Sequence, residues 1–225
     1  MERSHHGILN AVQTAKELER KALPGINLIC FSHNSEAISQ RGFMTLAHEI
    51  SKIQKVIYSS FNSISNDVIE EFTSGIGNDL SNIVIEDAWE YYQDNDPWEL
   101  RVLSFTEETK CIMIDDFHTF MNSEHLSFLD RGLTLSKLHE ELKGENISLL
   151  FMYSTAQFED KKDERLPFPR VKDINWCRQL KEISNCIYGG FSNSYYRGFL
   201  NDFDNENDGG AYDFSFEELK CPVVL

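Results

Sequence analysis

Three residues that could bind a metal ion, Asp115, Asp116 and His118, stand directly after a short apolar segment, CIMI (111–114). An apolar strand that delivers an acid at its end is the way in which phosphoryl-transfer enzymes present an aspartate to Mg²⁺. Asp115 is therefore a candidate metal ligand. A complete cation site needs further ligands from elsewhere in the chain. Asp115 could instead cap the turn that follows, so both interpretations stay open.

Polar residues also follow the other apolar segments, which read INLICF, NIVIED and ISLLFMY. In an open parallel sheet, ligands bind beyond the carboxyl ends of the strands. We therefore expect the polar residues at these ends to share one edge of a sheet with Asp115. They are Ser32, His33, Asn34, Glu86, Asp87, Ser154, Thr155 and Gln157.

The elements that must position these residues alternate between short strands and amphipathic helices. The segments 26–31, 82–87, 111–117, 147–153 and 183–190 are predicted to be short strands, and the continuously apolar 26–31 is typical of a strand buried on both faces. Helical spacing of apolar residues predicts helices over 8–22, 36–57 and 132–143, and further helices that begin at 63–67 and at Asp96-Pro97. This alternation predicts one α/β domain with a mostly parallel sheet covered by helices on both faces.

Composition narrows the classes of function. The 225 residues include 21 Lys and Arg against 37 Asp and Glu, a formal net charge of −16. Such a charge argues against binding of DNA or RNA by the isolated domain, because phosphate neutralisation supplies most nucleic-acid affinity. The five cysteines form no CxxC pair, and no apolar run approaches the length of a membrane span. We expect reduced thiols, a cytoplasmic location and no membrane contact.

The order of the segments resembles the C-terminal ATPase domain of DnaB-type replicative DNA helicases, which has a RecA-like fold. The segment FSHNS, with Gln40-Arg41 after it, is similar to that family's strand ending in FSLEM and its QR pair. The segment 112–115 is similar to the family's Walker B strand, and 153–155 to the end of a later strand. The resemblance covers residues 6–190 of a single domain, 1–225, and leaves 191–225 as an acidic C-terminal extension.

The resemblance implies roles for particular residues. Active members of the family form hexameric rings that hydrolyse ATP with Mg²⁺ and move along single-stranded DNA. By resemblance, Asp115 is the Mg²⁺ ligand, and Asn34 takes the place of the catalytic glutamate with Glu36 two residues further on. The phosphate-binding loop would lie just before the 8–22 helix, where Ser4 and Gly7 stand, and the sensor position falls at Thr155 and Gln157.

The departures from the family pattern predict a degenerate site. A phosphate-binding loop needs a Gly-rich turn, a Lys and a Ser or Thr, and no GxxxxGK[ST] occurs in this sequence. Asn34 cannot act as a general base. The position of the family's basic finger reads FLNDFDNENDGG. We therefore predict a RecA-like domain linked to DNA replication that has an interaction role and no bound cofactor, with ATP and Mg²⁺ bound only if the site works.

Two alternatives stay open. The chain could be an active ATP-dependent DNA helicase whose phosphate loop lies outside it or is disguised at residues 3–8. It could also be an unrelated α/β protein that uses its acidic strand end for Mg²⁺. Predicted partners are further copies of the chain or a replication protein. If the resemblance holds, 111–115 is an interior strand parallel to 26–31 and 147–153, and neighbours such as Ser154 or Thr155 hold Asp115.

Overall fold

The computed structural model describes residues 9–21, 24–31, 36–61, 81–87, 109–123, 128–154, 169, 171, 174, 178–192 and 214–221. Within these ranges the chain forms one sheet of eight strands and five helices. The strands are β1 (Leu9–Asn10), β2 (Gly25–Phe31), β3 (Val56–Ser60), β4 (Ile83–Asp87), β5 (Cys111–Asp115), β6 (Ser148–Ser154), β7 (Ile187–Ser192) and β8 (Phe214–Lys220). The helices are α1 (Ala11–Lys21), α2 (Glu36–Ser51), α3 (Phe117–Ser123), α4 (Phe128–Gly144) and α5 (Arg178–Ile183).

The strands lie in the order β1-β8-β7-β2-β6-β5-β3-β4. The six strands from β7 to β4 are parallel, whereas β8 pairs antiparallel with β7 and with β1. The prediction of a mostly parallel α/β sheet is therefore confirmed. Strand β5 lies in the interior, parallel to β6 and, across β6, to β2, as the resemblance implied.

Helices cover both faces of the sheet, because the central strands are apolar on both sides. In β2, Ile29 and Phe31 contribute to a buried cluster that includes side chains of α1 and α2. The alternate residues Leu28 and Cys30 contribute to a second cluster, which includes side chains of α3, α4 and α5. No helix within the described ranges is long and apolar enough to cross a membrane.

The predicted helix over 36–57 is wrong at its carboxyl end. Helix α2 ends at Ser51, and backbone hydrogen bonds from the amides of Ile53 and Gln54 to the carbonyl of Ile50 close it. The next residues form β3 (Val56–Ser60), which is buried along its length. A β-branched pair followed by an aromatic residue favours a strand once it is covered on both faces.

The acidic segment 191–225 also differs from its prediction, because β8 belongs to the sheet. Phe214 and Phe216 of β8 are buried, while the residues between and after them are partly exposed. Helix α3 (Phe117–Ser123) was not among the helices predicted from the sequence. The helices predicted to begin at 63–67 and at Asp96-Pro97, and the acidic stretch 201–210, lie outside the described residues.

Candidate functional site

The candidate site centres on Asp115. Five of the predicted site residues lie outside the described residues: Ser4, Gly7, Asn34, Thr155 and Gln157. Glu36 is the first residue of α2, just beyond the carboxyl end of β2. Asp115 ends β5, and β6 separates this strand from β2. The fold therefore brings Asp115 and the start of α2 to the same edge of the sheet.

The Asp115 side chain is completely buried. The alternate residues Cys111 and Met113 of β5 belong to the cluster under α2, so strand alternation directs Asp115 to the same face. The Tyr58 hydroxyl donates a hydrogen bond of 3.0 Å to Asp115 Oδ2, and the Ser60 hydroxyl lies 3.5 Å from the same oxygen. Both donors come from β3, in which Ser60 is the register partner of Asp115.

Tyr58 is held as a hydrogen-bond donor by its surroundings. Its side chain is fully buried, and the ring of Phe43 in α2 packs against it with 5.7 Å between the centroids. Burial, and then the charge of the adjacent Asp115, raise the pKa of Tyr58 well above its ordinary value. The hydroxyl therefore keeps its proton at physiological pH and donates a hydrogen bond to the carboxylate. These two donors come from β3, which was not predicted as a strand, while Thr155, one of the donors expected after β6, lies outside the described residues.

Asp116, and not Asp115, caps the following helix. Its Oδ1 accepts a 2.7 Å hydrogen bond from the amide of Thr119, which is typical of an N-cap residue at the start of α3. The His118 ring packs against Tyr153, and its Nε2 lies 3.1 Å from the carbonyl oxygen of Ser154. Within the described ranges, no three His, Cys, Asp or Glu side chains form a group that could hold a metal ion.

Beside β2, the connections that leave two neighbouring strands run to opposite faces of the sheet. The chain leaves β2 for α2 on one face, and it leaves the adjacent β6 towards α5, which packs on the opposite face. In open α/β sheets the crevice at such a switch point is where ligands bind. The residues between β2 and α2 in the sequence are 32–35 and read SHNS. By contrast, β1 and the start of α1 lie three strands from β2, at the outer edge of the sheet.

A cavity of about 220 Å³ lies at the opposite edge of the sheet. Its lining includes Pro24, Lys110 and Ser148, which stand at the amino ends of β2, β5 and β6. This is the edge at which open α/β sheets do not place their ligands. The cavity is therefore separate from the position of Asp115.

The fold can be compared with known proteins. No protein-family model and no curated protein sequence matches the chain. Among solved structures, an isolated ATPase domain aligns with a TM-score of 0.54 and 16% identity, over 86% of this chain and 78% of that one. A DnaB-like replicative helicase, described together with its interactions with primase, aligns with a TM-score of 0.53 and 13% identity, over 86% of this chain and 53% of that one.

These alignments establish a fold and nothing finer. The chain spans about half the length of the DnaB-like helicase that it matches, and both identities are low. The structural likeness is to ATPase domains of the DnaB-like type, so the RecA-like fold expected from the resemblance is confirmed. At this level of identity, the roles of residues in those proteins do not transfer to this chain.

Proposed function

We propose that this chain is a RecA-like domain with a degenerate nucleotide site, and that it acts in DNA replication through contacts with other proteins and not through ATP hydrolysis. One observation carries the proposal. Asp115, at the strand end where this fold presents its Mg²⁺ ligand, is completely buried and accepts hydrogen bonds from Tyr58 and Ser60. One carboxylate oxygen, Oδ2, is therefore engaged by hydroxyl groups of β3.

The sheet order supports a different position for the phosphate loop from the one expected at Ser4 and Gly7. A phosphate loop joins a strand directly to the following helix, and β2 with α2 is such a unit at the switch point. With β2 as the first strand, β3 becomes the second, and the sequence Ser59 to Asn62 corresponds to the family's FSLE. The catalytic glutamate position then falls on Asn62 instead of Asn34. Either assignment places an asparagine there, which cannot act as a general base.

The chemistry of the β2–α2 connection is unsuited to phosphate. A phosphate loop needs glycines that let backbone amides approach the anion, and a Lys that neutralises it. The segment 32–39 reads SHNSEAIS, with neither Gly nor Lys. Glu36 stands at the first residue of α2, where the helix dipole favours negative charge.

ATP with Mg²⁺ therefore does not fit the donor set of this site. Asp115 is bonded by two hydroxyl groups, and Asp116 is engaged as a helix cap. We derive no hydrolytic step for this chain.

A RecA-like domain that does not hydrolyse ATP can still bind other proteins. The DnaB-like helicase of similar fold is described with its interactions with primase. We propose that this chain likewise binds a replication protein in the cytoplasm, or further copies of itself. The formal net charge of −16 opposes binding of DNA by the isolated domain.

Isothermal titration calorimetry with Mg-ATP tests the degenerate site. We expect no binding at millimolar nucleotide, because the charge-assisted contacts of a phosphate-binding Lys and a Mg²⁺ ligand are missing. The Asp115→Asn variant is the matched control and should give the same flat titration. A micromolar dissociation constant that Asp115→Asn weakens would overturn the proposal.

The interaction role needs a separate measurement. Size-exclusion chromatography with light scattering on the full chain, alone and mixed with a purified DnaB-like helicase, should show either self-association or a mixed complex. Fluorescence anisotropy with labelled single-stranded DNA should show no binding at physiological salt. A chain that stays monomeric, does not bind the helicase and binds DNA with steep salt dependence would contradict this role.

A further inference from the structure

Two cysteines flank the paired parts of β7 and β8, because Cys186 directly precedes β7 and Cys221 directly follows β8. Ile187 pairs with Lys220 and Tyr188 pairs with Glu218, so Leu219 is an additional residue in β8 and forms a β-bulge. The next position outward on this register is Cys186 against Cys221. Without the bulge, Cys221 would lie opposite Asn185. The irregularity in the ladder is therefore what aligns the two cysteines.

The two side chains also share one face of the sheet. Cys186 is fully buried in the cluster under α1 and α2, and the half-buried Cys221 packs against the same cluster. Cys221 Sγ lies 3.7 Å from the hydroxyl of Tyr188, which belongs to that cluster too. Directly opposed residues of antiparallel strands have Cβ atoms about 4.5–5.5 Å apart. A small local movement brings such a pair to the roughly 3.5–4.5 Å that a disulfide needs.

A lysine, Lys220, stands directly before Cys221 in the chain. The Lys220 ammonium group donates hydrogen bonds of 2.6 Å to the carbonyl of Lys181 and 2.8 Å to that of Ser184. Burial lowers the pKa of Lys220, and the neighbouring Cys186 and Cys221 act in the opposite direction. A nearby cation favours the thiolate, which is the reactive form of cysteine.

The other cysteines of the described ranges lack these features. Cys111 is buried, and burial raises its pKa to about 12. Cys30 is fully buried in β2, on the opposite face of the sheet from Cys186. In the sheet register Cys30 pairs with Tyr153 and Gly189, and Cys111 pairs with Val56 and Ser148, so neither stands opposite another cysteine.

We propose that Cys186 and Cys221 are a redox-sensitive pair that forms an intramolecular disulfide when the chain meets a low-molecular-weight disulfide such as oxidised glutathione. The more exposed Cys221 loses its proton, and its thiolate attacks the glutathione disulfide, which releases one glutathione thiolate. The Cys186 thiolate then attacks Cys221 Sγ in the mixed disulfide and expels the second. Two protein thiols are oxidised, one small disulfide is reduced to two thiols, and the two protons pass to the leaving thiolates.

The bond would fix β8 to β7 beyond the last paired residues. Because β1 pairs with β8, this whole side of the sheet depends on the β7–β8 contact. A cross-link between 186 and 221 closes a loop of intermediate length, and we expect the thermal midpoint of unfolding to rise by about 10 °C. In a reducing cytoplasm the pair would stay open, and it would close under oxidative conditions.

The test is to incubate the full chain with oxidised glutathione, block remaining thiols with an alkylating reagent, and map the peptides by mass spectrometry without reduction. We expect a peptide pair joined through Cys186 and Cys221, a loss of two alkylated positions and a higher thermal midpoint. Reduction with dithiothreitol should reverse all three changes.

Two variants separate this bond from general oxidation. Cys221→Ser should remove both the cross-link and the rise in thermal midpoint, whereas Cys177→Ser should keep both. A stable glutathione adduct on Cys221 with Cys186 still open to alkylation after unfolding would overturn the proposal. So would a cross-link from Cys221 to any other cysteine.

Discussion

The two edges of the parallel sheet are built in different ways. At the carboxyl edge, Asp115 of β5 receives hydrogen bonds from two side chains of the adjacent β3. At the amino edge, side chains from distant segments bind the backbone of β2 and of the residue before it. His139 Nδ1 of α4 accepts a 3.1 Å hydrogen bond from the amide of Ile26, and the Asn185 amide group donates one of 3.1 Å to the carbonyl of Pro24.

Asn27 completes the amino edge from within β2. Its side chain is fully buried, donates to the carbonyl of Gly25 at 3.2 Å and accepts from the amide of Cys186 at 3.1 Å. Gly25 has a φ of 120°, and a Cβ added to it would lie 2.7 Å from His139 Cε1. Glycine is therefore required where α4 approaches β2 most closely.

This difference distinguishes residues that stabilise the fold from residues that stand where this fold class binds ligands. The amino edge joins α4, β2 and β7 through buried polar contacts, so its residues determine stability. The carboxyl edge is where this fold class binds ligands, and polar groups there are usually positioned for chemistry. In this chain the Oδ2 atom of Asp115 at the carboxyl edge accepts hydrogen bonds from Tyr58 and Ser60, and we propose that Asp115 has a structural role.

The largest effect is expected at the amino edge. Asn27→Ala removes both hydrogen bonds and leaves the buried Cys186 amide and Gly25 carbonyl without the side chain that satisfies them. We expect a loss of about 3 kcal/mol in the free energy of unfolding, measured by urea denaturation. Asn185→Ala, which removes a partly buried contact, is the control and should cost about 1 kcal/mol. Equal losses of unfolding free energy in the two variants would mean that the two buried hydrogen bonds of Asn27 contribute no more than the partly buried one of Asn185.

A smaller but specific effect is expected at the carboxyl edge. Tyr58→Phe removes the shorter hydrogen bond to Asp115, and we expect a loss of about 2 kcal/mol, since bonds to a charged group exceed neutral ones. Ser60→Ala removes the 3.5 Å contact and should cost less. A double-mutant cycle of Tyr58→Phe with Asp115→Asn should give a coupling of about 1 kcal/mol. Strict additivity would contradict a direct bond.

The two edges should also differ in their response to pH. Burial, and then the neighbouring Lys143, lower the pKa of His139. The folded state therefore binds fewer protons than the unfolded state, so this contribution to stability is present above the unfolded pKa of about 6.5 and is lost as the pH falls below it. Protonation of Nδ1 would also abolish the bond from the Ile26 amide.

His139→Gln isolates this titration from the other acid-sensitive groups. Glutamine can accept the same hydrogen bond and does not titrate. We expect the difference in unfolding free energy between the original chain and the variant to change by at most about 1.4 kcal/mol per pH unit below 6.5. A difference that stays constant between about pH 5 and pH 8 would show that His139 does not titrate on unfolding.

The sequence predicted the central strands β2, β5 and β6 of the sheet but not the adjacent strand β3. Strands β2, β5 and β6 are continuous apolar runs, so their burial and parallel arrangement follow from composition alone. Strand β3 was missed because Ile50 and Ile53 continue the helical spacing of α2 almost to Val56. The donor Tyr58 was missed with it, since strand pairing between 56–60 and 111–115 is a long-range property.

Strand β8, near one edge of the sheet, was not predicted from the sequence either. The alternation of Phe214 and Phe216 with polar residues is a strand signal, but it is short and lies in an acidic segment. The bulge at Leu219, which aligns Cys186 with Cys221, depends on how β8 pairs with β7 and cannot be recognised in the local sequence.

Urea denaturation of the full chain and of Asp115→Asn, each with and without Mg-ATP, tests most directly whether Asp115 is structural. We predict that Asp115→Asn lowers the free energy of unfolding by about 1 kcal/mol, and that Mg-ATP changes neither protein. A working site would instead stabilise the original chain by about 2.7 kcal/mol at a nucleotide concentration of about 100 times its dissociation constant. If Mg-ATP produces such a gain and Asp115→Asn removes it, Asp115 is a magnesium ligand and the structural assignment is wrong.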